Sequence, residues 1–299
     1  MADTLPHSPV QRPSRWRRIF WMLASAIVVF LVGKAVLSEI PSVGADQIAL
    51  VRIEGPILDS QQIVNELKTF GENPMVKAVV IRIDSPGGGV APSQEIYSAV
   101  KRLRDEKNKT VVASMGNVAA SGGYYIAVAT DRIIANPGSL TGSIGVIMQL
   151  PNFEEVLEKI GVKNITIKSG RYKDMGSPFR PMSDEDRQLF QSLMDDAHRQ
   201  FIEAVAEGRS LDIADVELLA DGRVFTGQQA KDMLLVDELG DLHAAVKIAA
   251  EMSGIQEPHR LVEPSRSFSF REFMQSQFWG NHSLFPTSSG LRLMYLMAF

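Results

Sequence analysis

Apolar positions along the chain fall into three patterns, and each predicts a different kind of element. The first is a continuous run, Ile19 to Val32, carried on by Gly33 to Leu37. It approaches the roughly 20 residues that a helix needs to cross a bilayer, and Lys34 can snorkel toward the far interface. Arg12, Arg15, Arg17 and Arg18 stand just before it. Positive charge flanking an apolar helix stays on the cytoplasmic side. The pattern therefore predicts a cytoplasmic N-terminus over residues 1–18, a transmembrane anchor over 19–38 and an extracytoplasmic remainder. Val43-Gly44-Ala45 offers a signal-peptidase site as the alternative, although it lies some way beyond the apolar run.

The second pattern is a set of short runs rich in valine and isoleucine: Ile48 to Ile53, Val76 to Ile83, Val111 to Met115 and Ile133 to Ala135, with Ile165 to Lys168 as a weaker candidate. These read as strands. Between them the apolar residues recur every three or four positions. Ile96, Val100 and Leu103 follow Ser93 as a candidate cap, and Leu189, Leu193, Ala197, Phe201 and Val205 follow Ser183. Ser183 with Asp186 has the spacing of a capping box, and Gly208 is placed to stop that helix. Nearly continuous apolar strands alternating with helices predict an α/β fold around a buried, largely parallel sheet. The pattern marks residues 46–254 as one domain. It fades in the tail, residues 255–299, which holds Phe268, Phe270, Phe273, Phe278, Trp279 and the apolar end Leu291 to Phe299. Docking, contact with a membrane and lack of order are all open for that tail.

Composition narrows the chemistry. A formal net charge of −4 does not favour nucleic acid as a partner. With no cysteine, the chain has no disulfide framework, thiolate-bound metal or thiol nucleophile. The five histidines, His7, His198, His243, His259 and His282, show no metal-ligand spacing; His198, beside the stripe after Ser183, reads as a surface or boundary residue.

Three segments remain for chemistry. Asp84-Ser85-Pro86-Gly87-Gly88-Gly89 follows a strand, and its glycines permit a ligand to approach the backbone. No Gly-Lys-Ser/Thr follows, so it is not a phosphate loop. Gly116-Asn117-Val118-Ala119-Ala120-Ser121-Gly122-Gly123-Tyr124-Tyr125 also follows a strand. A turn explains its serine and glycines as readily as chemistry does. The alternative is a nucleophile at a helix start, in a pattern like the nucleophile elbow but with Ala119 in place of its first glycine. The helix start would add N–H donors and a favourable dipole. The third segment, Lys168 to Pro178, is polar and basic. A serine nucleophile needs a base. With no histidine in a recognisable motif, a lysine freed of its proton by burial is the alternative. Local pattern alone does not choose among the lysines.

Together, the segment around Ser121, the stretch Leu140 to Val146 (LTGSIGV), the stretch Lys168 to Arg180 (KSGRYKDMGSPFR), Asp221 to Gly227 and Val236 to Gly240 resemble the signal peptide peptidase A (protease IV) family in its short form. The resemblance covers roughly residues 47–252 and leaves the tail without a counterpart. It implies a ClpP/crotonase-like fold and a Ser–Lys peptidase. Ser121 would be the nucleophile, Lys173 the general base and Ser143 the residue that orients the lysine. The backbone N–H groups of Gly88 and Gly122 would form the oxyanion hole. It further implies a membrane-anchored serine endopeptidase, with its peptidase domain over 46–254 on the outer side of the cytoplasmic membrane. The substrates would be short hydrophobic peptides such as cleaved signal peptides. No metal or cofactor is implied, and the family's ring-like homo-oligomers suggest an octamer. The rival readings are a crotonase-fold enzyme acting on an acyl-CoA, an α/β-hydrolase with a late histidine, and a catalytically silent scaffold that binds peptides.

Overall fold

The central strands of the domain run parallel, and their side chains alternate between two apolar layers. The computed structural model describes residues 22–25, 27, 46–256, 260–264 and 294–296. The chain divides into two units, Met1–Ala45 and Asp46–Phe299. In the first unit, residues 22–25 and 27 are helical. The rest of the anchor expected over 19–38 lies outside the described residues. Among those described, no helix is long and apolar enough to cross a membrane.

In the second unit, β1 (Gln47–Glu54), β2 (Val76–Ser85), β4 (Thr110–Ala120) and β5 (Arg132–Ala135) form the centre of the sheet, all parallel. The path across the sheet runs β7 (Val224–Thr226), β6 (Leu140–Gly142), β4, β2, β1 and β9 (Arg260–Val262). β5 pairs with β4 and with β8 (Glu238–Leu239), and only the β6–β7 pair is antiparallel. β4 serves two neighbours: residues 112–114 pair with β5, and residues 118–120 pair with β6. Its far end thereby turns away from β5 and carries Ser121 to the rim.

Period-two alternation assigns the two faces. Ala49, Val51, Ile53, Val79, Ile81, Ile83, Val111, Ala113 and Met115 pack into the larger core. Helices α1 (Gln61–Glu72), α2 (Val90–Asp105), α3 (Gly122–Ala127) and α5 (Asp184–Arg209) border that side. Ile48, Leu50, Ala78, Val80, Val112 and Ile134 face the other way, onto Ala245, Val246, Ala249 and Ala250 of α8 (Leu242–Ser253). The result is the expected α/β architecture, with helices on both faces of a mostly parallel sheet. The other helices are α4 (Glu154–Lys159), α6 (Ile213–Leu219) and α7 (Gly227–Asp232).

Several local expectations change. Ile165 to Lys168 forms no strand; Ile165 is 84% exposed and Ile167 96% exposed. Ser93 does not cap α2. It lies inside the first turn, with Gly89 as the cap, and its hydroxyl donates to the Gly89 carbonyl at 2.9 Å. The capping box of α5 is present in both halves, Ser183 accepting from the Asp186 N–H and Asp186 from the Ser183 N–H. That helix nevertheless runs through Gly208 and ends at Ser210, in a left-handed conformation. Gly208 serves packing instead: a Cβ there would lie 2.1 Å from the Val128 carbonyl. The stripe on α5 is buried only in its second half, where Ala197, Phe201 and Val205 meet the core, whereas Leu189 and Leu193 are exposed.

Two pieces of the tail are ordered into the domain. β9 extends the main sheet beside β1. β10 (Met294–Leu296) pairs antiparallel with β3 (Gly87–Gly89). Residues 257–259, 265–293 and 297–299 of the expected tail lie outside the described residues.

Candidate active site

β2 and β4 are parallel neighbours, so the loops that leave their carboxyl ends emerge at one edge, where open α/β sheets place their ligands. One loop is the glycine stretch Gly87–Gly89, and the other delivers Ser121. Asp84 ties them together, accepting from the Val118 N–H at 3.2 Å and from the Asn117 side chain at 3.5 Å. A side chain at Gly116 has no room, since its Cβ would sit 2.8 Å from the Asp84 carboxyl carbon.

Ser121 has φ 52° and ψ −116°. A serine held there costs about 1–3 kcal/mol of local strain, and such strain gathers at functional sites. Its N–H donates to the Gly142 carbonyl and its carbonyl accepts from the Tyr125 N–H, both at 2.8 Å. The side chain is buried, and its hydroxyl has no hydrogen-bond partner among the described residues. Buried hydroxyls normally find one, so this oxygen is held for something else. α3, which begins at Gly122, has only six residues. Ser121 is thus at a helix start, as expected, but the helix is short, and the positive potential there comes from the N–H groups of its first turn.

Those groups are close. A Cβ built on Gly122 would lie 3.2 Å from the Gly88 nitrogen and 2.5 Å from the Ser93 hydroxyl, so the two backbones touch without room for a side chain. Gly87 N–H is anchored on the Ser85 hydroxyl at 3.1 Å. Ile57 binds the other side of the loop, donating to the Gly87 carbonyl at 2.9 Å and accepting from the Gly89 N–H at 2.8 Å. Strand alternation then turns the N–H and carbonyl of Gly88 away from Ile57, toward the cleft. Ser143 follows Gly142 directly, has φ 51°, and donates its N–H to the Arg223 carbonyl at 2.8 Å. Ser121, Gly88, Gly122 and Ser143 thus share one edge.

Lys173 makes no hydrogen bond to any of them among the described residues. It lies in the long loop between α4 and α5, its side chain is exposed, and no hydrogen bond connects it to Ser121. The loop is pinned by charge. Arg180 holds Asp174 and Asp186 at 3.0 and 2.6 Å, and Lys168 holds Asp174 at 2.6 Å. Hydrogen bonds from Arg180 and then Lys168 lower the Asp174 carboxyl to about 2. Lys168 is consequently engaged, while the ammonium of Lys173 makes no hydrogen bond or ion pair among the described residues.

The structure adds residues that local pattern did not single out. Ile57 braces the glycine loop, Tyr295 pairs opposite Gly88, and Ile147 bonds Met294 on the other side of that strand. His198 is half-buried, as a boundary residue should be. Its Nε2, however, is buried without a partner among the described residues, and it lines a cavity of about 740 Å³ with Ser143, Ile147 and Leu296. None of these lies in a chain-local motif, so the signal that marks them is long-range contact alone.

Comparison with known proteins gives the edge a context. The sequence matches the Clp protease family over residues 48–139 and peptidase family S49 over residues 103–256. A candidate protease of Synechocystis sp. is 47% identical over 211 residues, which is 70% of this chain and 75% of that protein. The chloroplastic serine protease SPPA of Arabidopsis thaliana is 36% identical over 239 residues, 75% of this chain and 35% of that protein. A candidate signal peptide peptidase SppA of Enterococcus faecium is 40% identical over 180 residues, 60% of this chain and 52% of that protein. The chain thus spans three-quarters of the cyanobacterial relative and about half or less of the other two.

Proposed function

The chain belongs to peptidase family S49, and on that premise we propose that it is a serine endopeptidase acting on short hydrophobic peptides, cleaved signal peptides among them. The observation that carries this reading is Ser121: strained, buried, and with its hydroxyl unpartnered beside the N–H groups of Gly88 and Gly122. In this mechanism the Ser121 oxygen attacks a peptide carbonyl and passes its proton to the neutral amine of Lys173. The N–H groups of Gly88 and Gly122 hold the developing oxyanion, and Ser143 orients the amine. The lysine returns the proton to the leaving nitrogen, and water then releases the acyl group. An acyl-CoA enzyme would use the same N–H pair but would leave the serine's strain and isolation unexplained.

The exposed position of Lys173 bears on how the site is completed. Its loop and the adjoining start of α5 expose Ile165, Ile167, Phe179, Leu189 and Leu193, a surface expected to be covered in a working assembly. We take the cover to be a second copy of this chain within a homo-oligomer, an octamer by resemblance, because the serine lacks the base that this loop carries. The anchor over 19–38 would hold the assembly at the cytoplasmic membrane with the peptidase unit on the outer side.

The test is direct. Wild-type protein should be labelled by a fluorophosphonate probe and should hydrolyse apolar peptides. Ser121→Ala should do neither while melting at an unchanged temperature. More than a few per cent of activity in the pure variant would remove Ser121 from the mechanism.

A further inference from the structure

Among the described residues Lys173 makes no ion pair, although Asp174 follows it directly. The reason lies in what holds that carboxylate. Arg180 grips Asp174 with two nitrogens, at 3.0 and 3.2 Å, and Lys168 donates to it at 2.6 Å. The third guanidinium nitrogen of Arg180 reaches Asp186 at 2.6 Å, so one side chain joins the loop to the capping box of α5. The Asp174 and Asp186 side chains are only 10% and 4% exposed. Arg171 is paired with Glu185, which also accepts from Tyr172. Lys173 itself is placed by its backbone. Its N–H donates to the Gly170 carbonyl at 3.2 Å, and its stem passes 3.2 Å from where a Cβ on Gly170 would be.

An aspartate directly after a basic residue is a ready partner for it. Arg104 and Asp105 pair in that way at the end of α2, at 2.7 Å. Asp174 stays ionised, since hydrogen bonds from Arg180 and then Lys168 hold its carboxyl down to about 2. Without those two cations it would offer Lys173 a standing counter-charge, and a nearby carboxylate favours the ammonium form. An ammonium cannot take the serine's proton. Other charges stand on the helices that the loop joins. They are Glu154, Glu155, Glu158 and Lys159 in α4, and Asp184 and Arg187 beside Glu185 and Asp186 in α5. None of them makes an ion pair with Lys173 among the described residues.

We propose that Arg180, together with Lys168, withholds Asp174 from Lys173 and so keeps the amine available as a base. Arg180 is then a positioning residue, acting on the reaction through the charge of Asp174. Its planar fork suits the task, because it spans two carboxylates at once as a lysine in its place would not. This inference rests on the peptidase reading for the importance of Lys173, but it specifies how the amine titrates whether or not peptide is cut.

Trace acetylation with acetic anhydride, read at Lys173 by mass spectrometry of the digested full chain, gives the pH at which the amine becomes free. Arg180→Gln keeps N–H donors but removes the charge. It should move that midpoint upward by about 0.5–1 pH unit, the low end of what an adjacent opposite charge does, because the loop is exposed. Asp174→Asn leaves two cations unopposed and should move it downward by a similar amount. The double variant should return close to the parent. Arg180→Lys, which preserves the charge, should keep the parent midpoint. A merely structural Arg180 would move no midpoint, or would move it as far with lysine as with glutamine. In peptide hydrolysis the same shifts should appear in kcat, with Arg180→Gln about three- to tenfold slower near neutral pH and KM little changed. Should Arg180→Gln fail to fold, Asp174→Asn decides alone. Midpoints that coincide in parent and Asp174→Asn, or that move the same way in both single variants, overturn the proposal. Failure of the peptidase reading would show separately, as absent hydrolysis by the wild-type protein while the titration shifts stand.

Discussion

Ser121 keeps a conformation that serine does not choose, and its neighbours are what hold it there. Its N–H is fixed on β6, its carbonyl begins α3, and Gly122 behind it lies against Gly88. The missing side chain at 122 is therefore a steric requirement. Gly122→Ala places a methyl group 2.5 Å from the Ser93 hydroxyl and 3.2 Å from the Gly88 nitrogen. We expect kcat/KM to fall by about 10²-fold or more, as for loss of an oxyanion donor, with a stability loss of about 1–3 kcal/mol from overpacking. Adding Ser93→Ala removes the nearer clash and should recover most of the stability in a thermal melt. If the single variant is as active as the parent, the N–H pair is not the oxyanion site. Lysine poses the complementary question. Lys173→Met and Lys173→Arg should both be inactive yet folded, since methionine lacks an amine and guanidinium keeps its proton. Full activity of Lys173→Arg in a peptide assay would end the Ser–Lys assignment.

At the scale of elements, α5 is tied to the sheet by one carboxylate. Asp237 accepts from Arg209 at 2.8 and 3.0 Å, from the Ile133 N–H at 2.7 Å and from Arg132 at 3.2 Å. Burial pushes this carboxyl up, but the hydrogen bonds from Arg209, with the Ile133 N–H and Arg132 behind them, hold it below the usual aspartate range. A depressed carboxylate contributes its stability above the unfolded-state value near 4 and loses it as pH falls through the folded-state value. Asp237→Asn should cost about 1.5–3 kcal/mol at neutral pH, as hydrogen bonds to charge do. The gap between parent and variant should close as the medium is acidified below about pH 4. Denaturant melts across that range check it; a gap that widens on acidification contradicts the sign.

For the whole molecule, the domain carries exposed apolar side chains that no described residue covers. Ile167 is 96% exposed and Leu193 46% exposed, both near the loop that bears Lys173. Single isoleucines on a surface are unremarkable, but Ile165 and Ile167 are exposed in the same loop that carries the lysine proposed as base. Sedimentation should give a homo-oligomer, and Ile167→Asp with Leu193→Asp should yield smaller species with little activity. Mixing Ser121→Ala with Lys173→Met under conditions of subunit exchange should restore activity if the lysine serves a neighbour's serine. Activity retained by a well-folded single chain would place the base within it instead.

By itself the sequence determined whatever depends on short spacing. Alternation in β1, β2 and β4 set which residues face each core, because successive strand side chains point to opposite sides. Ser183 and Asp186 set the start of α5, because a capping box closes within four residues. The glycines at 87–89 and 122 announced close backbone approach, while Ser121 as nucleophile and Ser143 beside it remain what the family resemblance implies. Only the tertiary structure decided the rest. Ile165 to Lys168 has strand-like composition but no partner backbone, so it forms no strand. Gly208 looked like a stop and is instead a contact with Val128. Ser121's strain and Tyr295's place opposite Gly88 come from pairings between distant segments, whose register no local pattern encodes. Likewise, the exposure of Lys173 follows from how its long loop folds, which no spacing in the sequence encodes.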